Sequence, residues 1–274
     1  MSQLESDIIE KKTVAITTKN IEQKEEKSGI PEISIKAEPV FHLNSFKVTN
    51  SLVLSAVVLV FSLIIALRYS KEVVSARKSG FFYVFNTLLK GLYGLFESIM
   101  GHNITFFFPI LSAFFVYILF QNWFGLLPGV GSILIAVTEG THTLRVPLFR
   151  GNNADINATL ALALISVVLM QVYGIKFLGF KDHIQKYINL SNPMNFFLGF
   201  LEILSEISRV LSFAFRLFGN IFAGEVLMTI VAFLVPVLAS FPFLILEIFV
   251  GLVQALVFSL LTSVFMSLAV AKHH

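Results

Sequence analysis

The sequence predicts an all-α polytopic membrane protein, and three observations support this prediction. The chain has 274 residues, of which 56% are hydrophobic and 14% are charged, and its mean hydropathy is +0.82. Several apolar runs are long enough to cross a hydrocarbon core of about 30 Å. Basic segments separate some of these runs, as cytoplasmic loops do. We therefore expect about five membrane segments, one interfacial amphipathic helix and a long, steeply tilted C-terminal helical hairpin.

Composition also excludes several classes of protein. The chain contains no cysteine, which excludes disulfides, thiolate nucleophiles and cysteine-ligated zinc or iron–sulfur sites. The net charge of +3 is small and reflects membrane topology better than a nucleic-acid partner. The histidines, at positions 42, 102, 142, 183, 273 and 274, lie in tails or near loops, so no pair of them ligates a haem at mid-membrane. We expect no cofactor, no bound metal and no nucleic acid.

Residues 1–47 form a polar segment of mixed charge, with seven lysines and eight acidic residues. Gly29, Pro31 and Pro39 interrupt any helix there. The segment has no apolar run followed by a small-residue cleavage site, so we expect no signal peptide. We predict a flexible N-terminal tail over 1–47, with a conditional docking site as the alternative, and a membrane domain over 48–274.

The apolar run over 50–67 predicts the first membrane span. Four basic residues follow it at once and mark the cytoplasmic side: Arg68, Lys71, Arg77 and Lys78. The tail is then expected on the outer side of the membrane, and its near-neutral charge permits export.

The middle of the chain predicts one interfacial helix and two further spans. Residues 81–100 mix Phe, Leu and Tyr with polar side chains, which is typical of an amphipathic helix at the membrane interface. Spans are expected over 104–127 and from 155 to about 173, with an outer loop over 129–153 between them. Three lysines that follow indicate the cytoplasmic side: Lys176, Lys181 and Lys186.

The C-terminal part predicts two long helices. Ser191-Asn192-Pro193 is typical of a helix start, because it combines capping residues with proline in the first turn. No helix breaker follows until Pro236. A helix of about 43 residues is about 64 Å long, roughly twice the hydrocarbon thickness, so it must tilt steeply or break. We expect a turn from Pro236 to Pro242 and a second long helix over 243–271.

Arg216 lies in the middle of this long apolar segment. A charge at that depth costs roughly 2.5–3.5 kcal/mol on insertion scales, so such a residue usually has a function. At about 100° per residue, seven polar residues fall within a sector of roughly 120°: Glu202, Ser205, Glu206, Arg209, Ser212, Arg216 and Asn220. This stripe favours ion transfer or contact with another polar membrane element. The alternative is an arginine that snorkels to the interface or pairs with a buried carboxylate to hold helices together.

Other polar residues occur within the predicted spans. On the last helix, Glu247 and Gln254 share one face by their helical spacing, together with Gly251 and Phe258. This face points at the preceding helix, and a purely structural Glu–Gln hydrogen bond is the alternative to an ion path. Asn122 is explained either by helix–helix hydrogen bonding or by a place on such a path.

The run Arg216-Leu-Phe-Gly-Asn-Ile-Phe-Ala-Gly-Glu225 resembles the signature of the membrane a subunit of rotary F-type ATP synthases. The resemblance covers about residues 80–271 and includes the Ala-Asp-Ile-Asn-x-Thr-Leu-Ala-Leu run that begins at residue 154. There are two departures from the family pattern: Gly125 stands where some members carry an acid, and Val210 stands where members often carry proline.

The resemblance implies that residues 48–274 form the ion-channel domain of a non-catalytic stator subunit. With a ring of c subunits, such a subunit carries protons, or sodium ions, through two offset half-channels and so couples ion flow to rotation and ATP synthesis. The implied partners are the c-subunit ring, the b-subunit peripheral stalk, other ATP synthase subunits and the lipid bilayer, with no nucleotide. The implied location is a bacterial plasma (inner) membrane, with the mitochondrial inner membrane as the alternative.

The resemblance also implies roles for individual side chains. A guanidinium at Arg216, which is always charged, lowers the pKa of the ring carboxylate and blocks a direct leak; Ser212 lies on its stripe. The implied cytoplasmic half-channel uses Glu202, Ser205, Glu206 and Ser208. The implied outer half-channel uses Asn122, Asn220, Glu225, Glu247 and Gln254. Asp155 and Asn157 either cap a helix start or lie at a channel mouth. We further expect Glu225 and Glu247 to be close enough to share a proton.

Two other classes of function are alternatives. A redox subunit that binds quinone or haem is disfavoured by the histidine positions, and an absorption spectrum distinguishes it. An inert assembly scaffold would tolerate the loss of Arg216.

Overall fold

The structure is a computed structural model that describes residues 37–43, 46–139, 142–187, 192–234 and 240–271. Its helices are α1 (Asn50–Val74), α2 (Gly80–Met100), α3 (Ile104–Gly125), α4 (Ile156–Leu178), α5 (Phe180–Gln185), α6 (Pro193–Leu234) and α7 (Ser240–Val270). Its short strands are β1 (Pro39–Leu43), β2 (Phe46–Thr49), β3 (Pro128–Gly131), β4 (Leu134–Glu139) and β5 (His142–Pro147).

Five stretches of the described chain are long and apolar enough to cross a membrane: α1, the stretch Gly80–Gly125 that contains α2 and α3, α4, α6, and Phe241–Val270 within α7. The predicted all-α polytopic membrane fold is therefore confirmed. The helix α2 ends at Gly101, whose φ of 54° lies in the left-handed region that glycine adopts at low cost. The position of α2 at the membrane interface stays a prediction.

Two antiparallel hairpins lie where the sequence predicted irregular chain. β1 lies inside the predicted tail over 1–47 and pairs with β2, which crosses the predicted boundary at 47 and runs directly into α1. β4 pairs with β5 inside the predicted loop over 129–153. Both hairpins are short, and their strands were missed because alternation over four to six residues is a weak signal. Residues 1–36 lie outside the described residues, and a flexible tail there stays a prediction.

The two long C-terminal helices are confirmed. α6 has 42 residues without a break, which corresponds to about 63 Å. The helix α7 begins at Ser240, three residues before the predicted start at 243. Proline is compatible with a first helical turn, where its missing N–H has no partner to lose, so Pro242 does not end the turn as predicted. The rest of that turn, 235–239, lies outside the described residues.

Paired contacts show that α6 and α7 are antiparallel. The ring centroids of Phe213 and Phe258 are 5.0 Å apart, and further along α6 the side chain of Asn220 bonds that of Gln254. Phe258 also contacts Phe114 of α3, with centroids 5.6 Å apart. α7 therefore packs between α3 and α6, and all three aromatic rings belong to the buried core.

The segment after α4 carries a short helix that the sequence did not predict. α5 follows α4 directly, and the chain from 179 to 187 folds back between α4 and α6. Two glycines make the space for it. A Cβ at Gly174 would lie 2.7 Å from Cε1 of His183, and a Cβ at Gly199 would collide with the backbone carbonyl of Tyr187.

Candidate functional site

Arg216 is half-buried on α6, and its Nη2 donates a hydrogen bond to Oγ of Ser212 at 3.2 Å. The other two arginines on membrane helices of the described chain, Arg68 and Arg209, have carboxylates at 3.4 Å and 2.8 Å. Within the described residues, no carboxylate lies within the 4.0 Å of the Arg216 guanidinium that would make an ion pair. Among the described residues, Arg216 is thus the one membrane-helix arginine whose charge has no carboxylate partner.

The face of α6 beside Arg216 is open and lined by small residues. These residues are all exposed: Ser205, Ser208, Ser212, Gly219 and Ala223. A Cβ at Gly219 would meet no heavy atom within 4 Å. Small residues on a membrane helix permit close approach of another helix. The open face would therefore let a second helix approach Arg216, which has no carboxylate partner among the described residues.

The polar stripe predicted on α6 divides into two parts in the structure. Ser205 and Ser212 lie on the open face, whereas Arg209 turns towards α7. Its Nη1 donates to Oε1 of Glu206 at 2.8 Å, and its guanidinium lies 4.2 Å from the ring centroid of Phe265. Glu202, one turn before Glu206, is half-buried. Among the described residues, the predicted stripe therefore holds one guanidinium with a carboxylate partner, Arg209, and one without, Arg216.

Hydrogen bonds connect α6 and α3 to the polar face of α7. Nδ2 of Asn220 donates to Oε1 of Gln254 at 2.7 Å. Nδ2 of Asn122 donates to the carbonyl of Gly251 at 2.9 Å, and its Oδ1 accepts from Nδ2 of Asn153 at 2.6 Å. Asn122 thus holds two helices together, as one of its two predicted explanations requires.

A cavity of about 820 Å³ lies between α3, α6, α7 and the chain that precedes α4. Its lining includes Asn122, Arg150, Glu225 and Glu247. Oε2 of Glu225 accepts from Nη2 of Arg150 at 3.3 Å. The carboxyl group of Glu247 packs where a Cβ on Gly224 would stand, and only 6% of this residue is exposed. The structure therefore brings the two predicted acids to one cavity.

Three polar residues of this outer region were missed in the sequence. Arg150 falls within the predicted outer loop over 129–153, yet only 7% of it is exposed. Asn153 and Gln121 are buried beside it. The signal that pointed to Arg150 and Asn153 was the run Arg-Gly-Asn-Asn-Ala-Asp from 150, in which polar residues directly precede an apolar helix.

Asp155 and Asn157 lie at the start of α4 and not in the lining of the cavity. Oδ1 of Asp155 accepts from the backbone N–H of Asn157 at 3.1 Å, and its Oδ2 accepts from Oγ of Ser51 at 2.9 Å. Helix capping, one of the two predicted explanations, is confirmed. Asp155 also fastens α4 to the start of α1.

Gly125 also lines the cavity, at the end of α3. A Cβ there would lie 3.2 Å from Cα of Gly151. A side chain at this position requires the loop at Gly151 to shift. Gly125, at the position where some family members carry an acid, therefore allows the backbone at Gly151 to pack closely against α3.

A second polar cluster, absent from the sequence predictions, lies where the 179–187 segment meets α4 and α6. Oε1 of Gln171 accepts from His183 Nε2 at 2.7 Å and from the Tyr187 hydroxyl at 3.0 Å. The same hydroxyl lies 3.3 Å from Oε1 of Glu206. Because Gln171 Oε1 only accepts, Nε2 of His183 carries a proton. Its Nδ1 is buried and has no hydrogen-bond partner among the described residues.

Burial shifts the protonation of this cluster. It lowers the pKa of His183 below its usual 6.5, and the charge of Lys186 acts in the same direction. It also lowers the pKa of Lys186, against the opposing charges of Glu202 and Glu206. Burial, with the negative charge of Glu206, raises the pKa of Tyr187 to about 12. His183 and Tyr187 are therefore both neutral at pH 7.

The sequence model of the family described as ATP synthase A chain matches residues 49–267. The chain belongs to this family. Among relatives named ATP synthase subunit a, that of Syntrophobacter fumaroxidans is 34% identical over 191 residues, covering 69% of this chain and 72% of the relative. That of Moorella thermoacetica is 26% identical over 239 residues, covering 87% and 99%. That of Mycobacterium ulcerans is 32% identical over 230 residues, covering 80% and 86%.

Membership in the ATP synthase A chain family confirms the resemblance seen in the run from Arg216 to Glu225. It sets aside the redox-subunit alternative. Of the two departures from the family pattern, Val210 lies within α6, which continues through it unbroken. The family assignment and the five apolar helices together make this a multi-pass membrane protein.

Proposed function

We propose that this chain is the stator ion-channel subunit of an ATP synthase, which carries protons to and from the carboxylates of a c-subunit ring. One observation carries the proposal: in a member of the ATP synthase A chain family, Arg216 has no carboxylate partner among the described residues and lies beside an open, small-residue face. The subunit itself performs no catalysis and binds no nucleotide. Sodium ions are the alternative cargo.

The charge of Arg216 explains how rotation and ion transfer are coupled. A ring carboxylate must be neutral while it faces lipid, because a charge is costly there. When it reaches α6, the guanidinium favours its ionised form and releases the ion. Arginine remains charged in any protein environment. The same fixed charge repels a cation that would pass directly between the two half-channels.

The outer half-channel runs from the cavity to Arg216. Glu225 and Glu247 line the cavity and supply carboxylates that bind and pass on protons, and Asn122 contributes a polar wall. The Gln254–Asn220 hydrogen bond continues this polar line along the α6–α7 interface. Asn220 is one turn, or about 6 Å, from Arg216. Both acids line the same cavity, which supports the passage of a proton from one to the other.

The cytoplasmic half-channel uses the part of the polar stripe that precedes Arg216 on α6. Ser205, Ser208 and Ser212 lie on the open face, and Glu202 is half-buried next to them. Hydroxyls accept and donate protons and so suit an ion route. Glu206, which the sequence also predicted for this route, is engaged with Arg209. Asp155 and Asn157 contribute indirectly, by holding the start of α4 near the outer mouth.

The open face of α6 and membership in the ATP synthase A chain family support the proposed partners. The c-subunit ring occupies the open face of α6, and the b-subunit peripheral stalk and other ATP synthase subunits complete the assembly. The relatives are bacterial, which supports a bacterial plasma (inner) membrane, with the mitochondrial inner membrane as the alternative. Sodium dependence of ATP hydrolysis by the assembled complex distinguishes the two ions.

The deciding experiment replaces Arg216 in the assembled complex. Arg216→Ala is expected to abolish ATP-driven ion pumping into inverted membrane vesicles while the complex still assembles. Arg216→Lys is expected to fail as well, because a buried lysine can lose its proton. Normal pumping by either variant, at equal amounts of complex, contradicts the proposal and favours an inert scaffold.

A further inference from the structure

A second guanidinium lies on the same side of α6 as Arg216. Arg209 precedes it by seven residues, which is nearly two helical turns, about 10 Å along the axis and about 20° around it. On position alone, Arg209 is a second attractive charge for whatever approaches Arg216. In the structure, however, Arg209 has a carboxylate and an aromatic ring beside its guanidinium, and these partners offset its charge.

Arg209 is held by two groups that Arg216 lacks. Glu206 is at 2.8 Å, and both side chains are mostly buried, with 14% of Arg209 and 16% of Glu206 exposed. The guanidinium also lies over the ring of Phe265 on α7, 4.2 Å from its centroid, a geometry that attracts cations. The Tyr187 hydroxyl donates a hydrogen bond to Oε1 of the same Glu206 carboxylate at 3.3 Å. The charge of Arg209 is thus neutralised and directed away from the open face.

An unpaired charge at this position would interfere with ion transfer. A ring carboxylate that passes α6 would meet two cations about 10 Å apart instead of one. The second cation would favour its ionised form at the cytoplasmic end, where the carboxylate must exchange its ion. The carboxylate would then stay near Arg209, and its return to lipid as a neutral group would be slowed.

We propose that Glu206 and Phe265 are positioning residues that clamp Arg209 onto α7, so that Arg216 is the one guanidinium on α6 that a ring carboxylate meets. This inference rests on the proposed function. It gives Glu206 a role different from that of an ion-carrying carboxylate: its charge is used to neutralise Arg209. The contacts with Glu206 and Phe265 keep the Arg209 charge from acting on a ring carboxylate.

The test compares Glu206→Gln with the double variant Glu206→Gln/Arg209→Gln in the full complex. Passive proton conduction per assembled complex is measured in membrane vesicles between pH 5 and 9. We expect Glu206→Gln to lower conduction about fivefold and to move its pH midpoint at least about half a unit lower, because an added cation favours the ionised carboxylate. The double variant, which removes the freed charge, is expected to conduct within about twofold of the wild-type rate with an unshifted midpoint.

A purely structural ion pair gives a different result. Loss of packing lowers the amount of assembled complex but leaves the pH midpoint of the remaining complexes unchanged. Glu206→Asp, which keeps the negative charge, is the conservative control and is expected to retain the wild-type midpoint. An unchanged rate and midpoint in Glu206→Gln overturns the proposal, and so does a double variant as slow as the single one, which makes Glu206 an ion carrier.

Phe265→Leu provides a second route to the answer if the Glu206 variants fail to assemble. It removes the aromatic ring but leaves the Arg209–Glu206 pair intact. We expect a midpoint shift in the same direction and of smaller size, and an unshifted midpoint overturns the proposal. The Arg216 variants test the proposed function separately: if they stop pumping while the Glu206 variants show no coupling to Arg209, only the clamp is wrong.

Discussion

Arg150 and Glu225, 75 residues apart in the chain, form an ion pair in the wall of the cavity between α3, α6 and α7, with Nη2 and Oε2 separated by 3.3 Å. The pair joins the chain before α4 to the helix that carries Arg216. Only 7% of the Arg150 side chain is exposed, against 37% of Glu225. The arginine is thus anchored in the protein, and the carboxylate faces the cavity.

Removal of either partner of this pair is expected to slow ion conduction. Arg150→Gln takes away the cation that holds the Glu225 carboxylate at the cavity wall, and Glu225→Gln removes the carboxylate itself. We expect each change to lower passive conduction per complex about tenfold, and the double variant to be no slower than Glu225→Gln. The measurement is a double-mutant cycle in membrane vesicles. Glu97→Gln, at an exposed carboxylate of α2, is the matched control. If the fold-losses of the two single variants multiply in the double variant, the two residues act separately.

The packing of Glu247 against Gly224 predicts a strong effect from a single methyl group. Gly224→Ala would place its Cβ on the Glu247 carboxyl group, so the acid must leave its position on the cavity wall. We expect conduction to fall about tenfold while the helices still assemble, because the acid is displaced and not removed. Gly94→Ala on α2, where a Cβ meets nothing within 4 Å, is the control. Equal conduction by both variants would mean that the position of Glu247 is unimportant.

His183 predicts a dependence of local stability on pH. Burial lowers its pKa in the folded protein below the usual 6.5, so the unfolded or undocked segment binds a proton more readily. Stability from the neutral, buried ring is fully present above about pH 6.5 and is lost as the pH falls towards the folded pKa. The charges that face the ring are those of Lys186 and Glu206.

We therefore expect the segment 179–187 to undock more often at pH 5.5 than at pH 7.5. Hydrogen exchange of its backbone amides in the intact complex measures this opening. His183→Gln keeps an N–H donor for Gln171 and cannot gain a charge near neutral pH, so its exchange should be independent of pH once the chemical rate is corrected. An equally steep dependence in this variant would assign the effect to another group.

The membrane topology predicts which positions are reached from each side. The chain has no cysteine, so single cysteines are specific labels. Ser75→Cys and Gln185→Cys are expected to react with an impermeant thiol reagent only from the cytoplasmic side, and Thr141→Cys only from the outer side. Intact cells and inverted vesicles provide the two orientations. Cytoplasmic labelling at Thr141 would overturn the five-span arrangement.

The spans and the α6–α7 hairpin were predictable because they depend on length, hydropathy and a 3.6-residue period, which are local properties. The shared face of Glu247 and Gln254 followed from the same period, and both residues are buried as expected. The partners of these side chains were not predictable. Arg150 reaches Glu225 only because the chain before α4 folds over the cavity, and no pattern in the sequence fixes a contact across 75 residues.

Arg209 shows the same limit on a single helix. The period of α6 correctly placed it on one side with Arg216, but its pairing depends on a rotamer directed at Phe265, 56 residues later in the chain. The α5 segment was missed because its position depends on the absence of side chains at Gly174 and Gly199. Both features arise from tertiary contacts, on which helical propensity and hydropathy carry no information.

The outer cavity also has an electrical consequence. A cavity of about 820 Å³, lined in part by Arg150, Glu225 and Glu247, is large enough to hold many water molecules, at about 30 Å³ each. Water conducts the potential of the outer solution inward, so the membrane voltage falls across the shorter, drier distance between the cavity and Arg216. A difference of 100 mV corresponds to about 2.3 kcal/mol for each elementary charge. On the proposed route, most of the electrical work on each ion is therefore done between the cavity and the guanidinium.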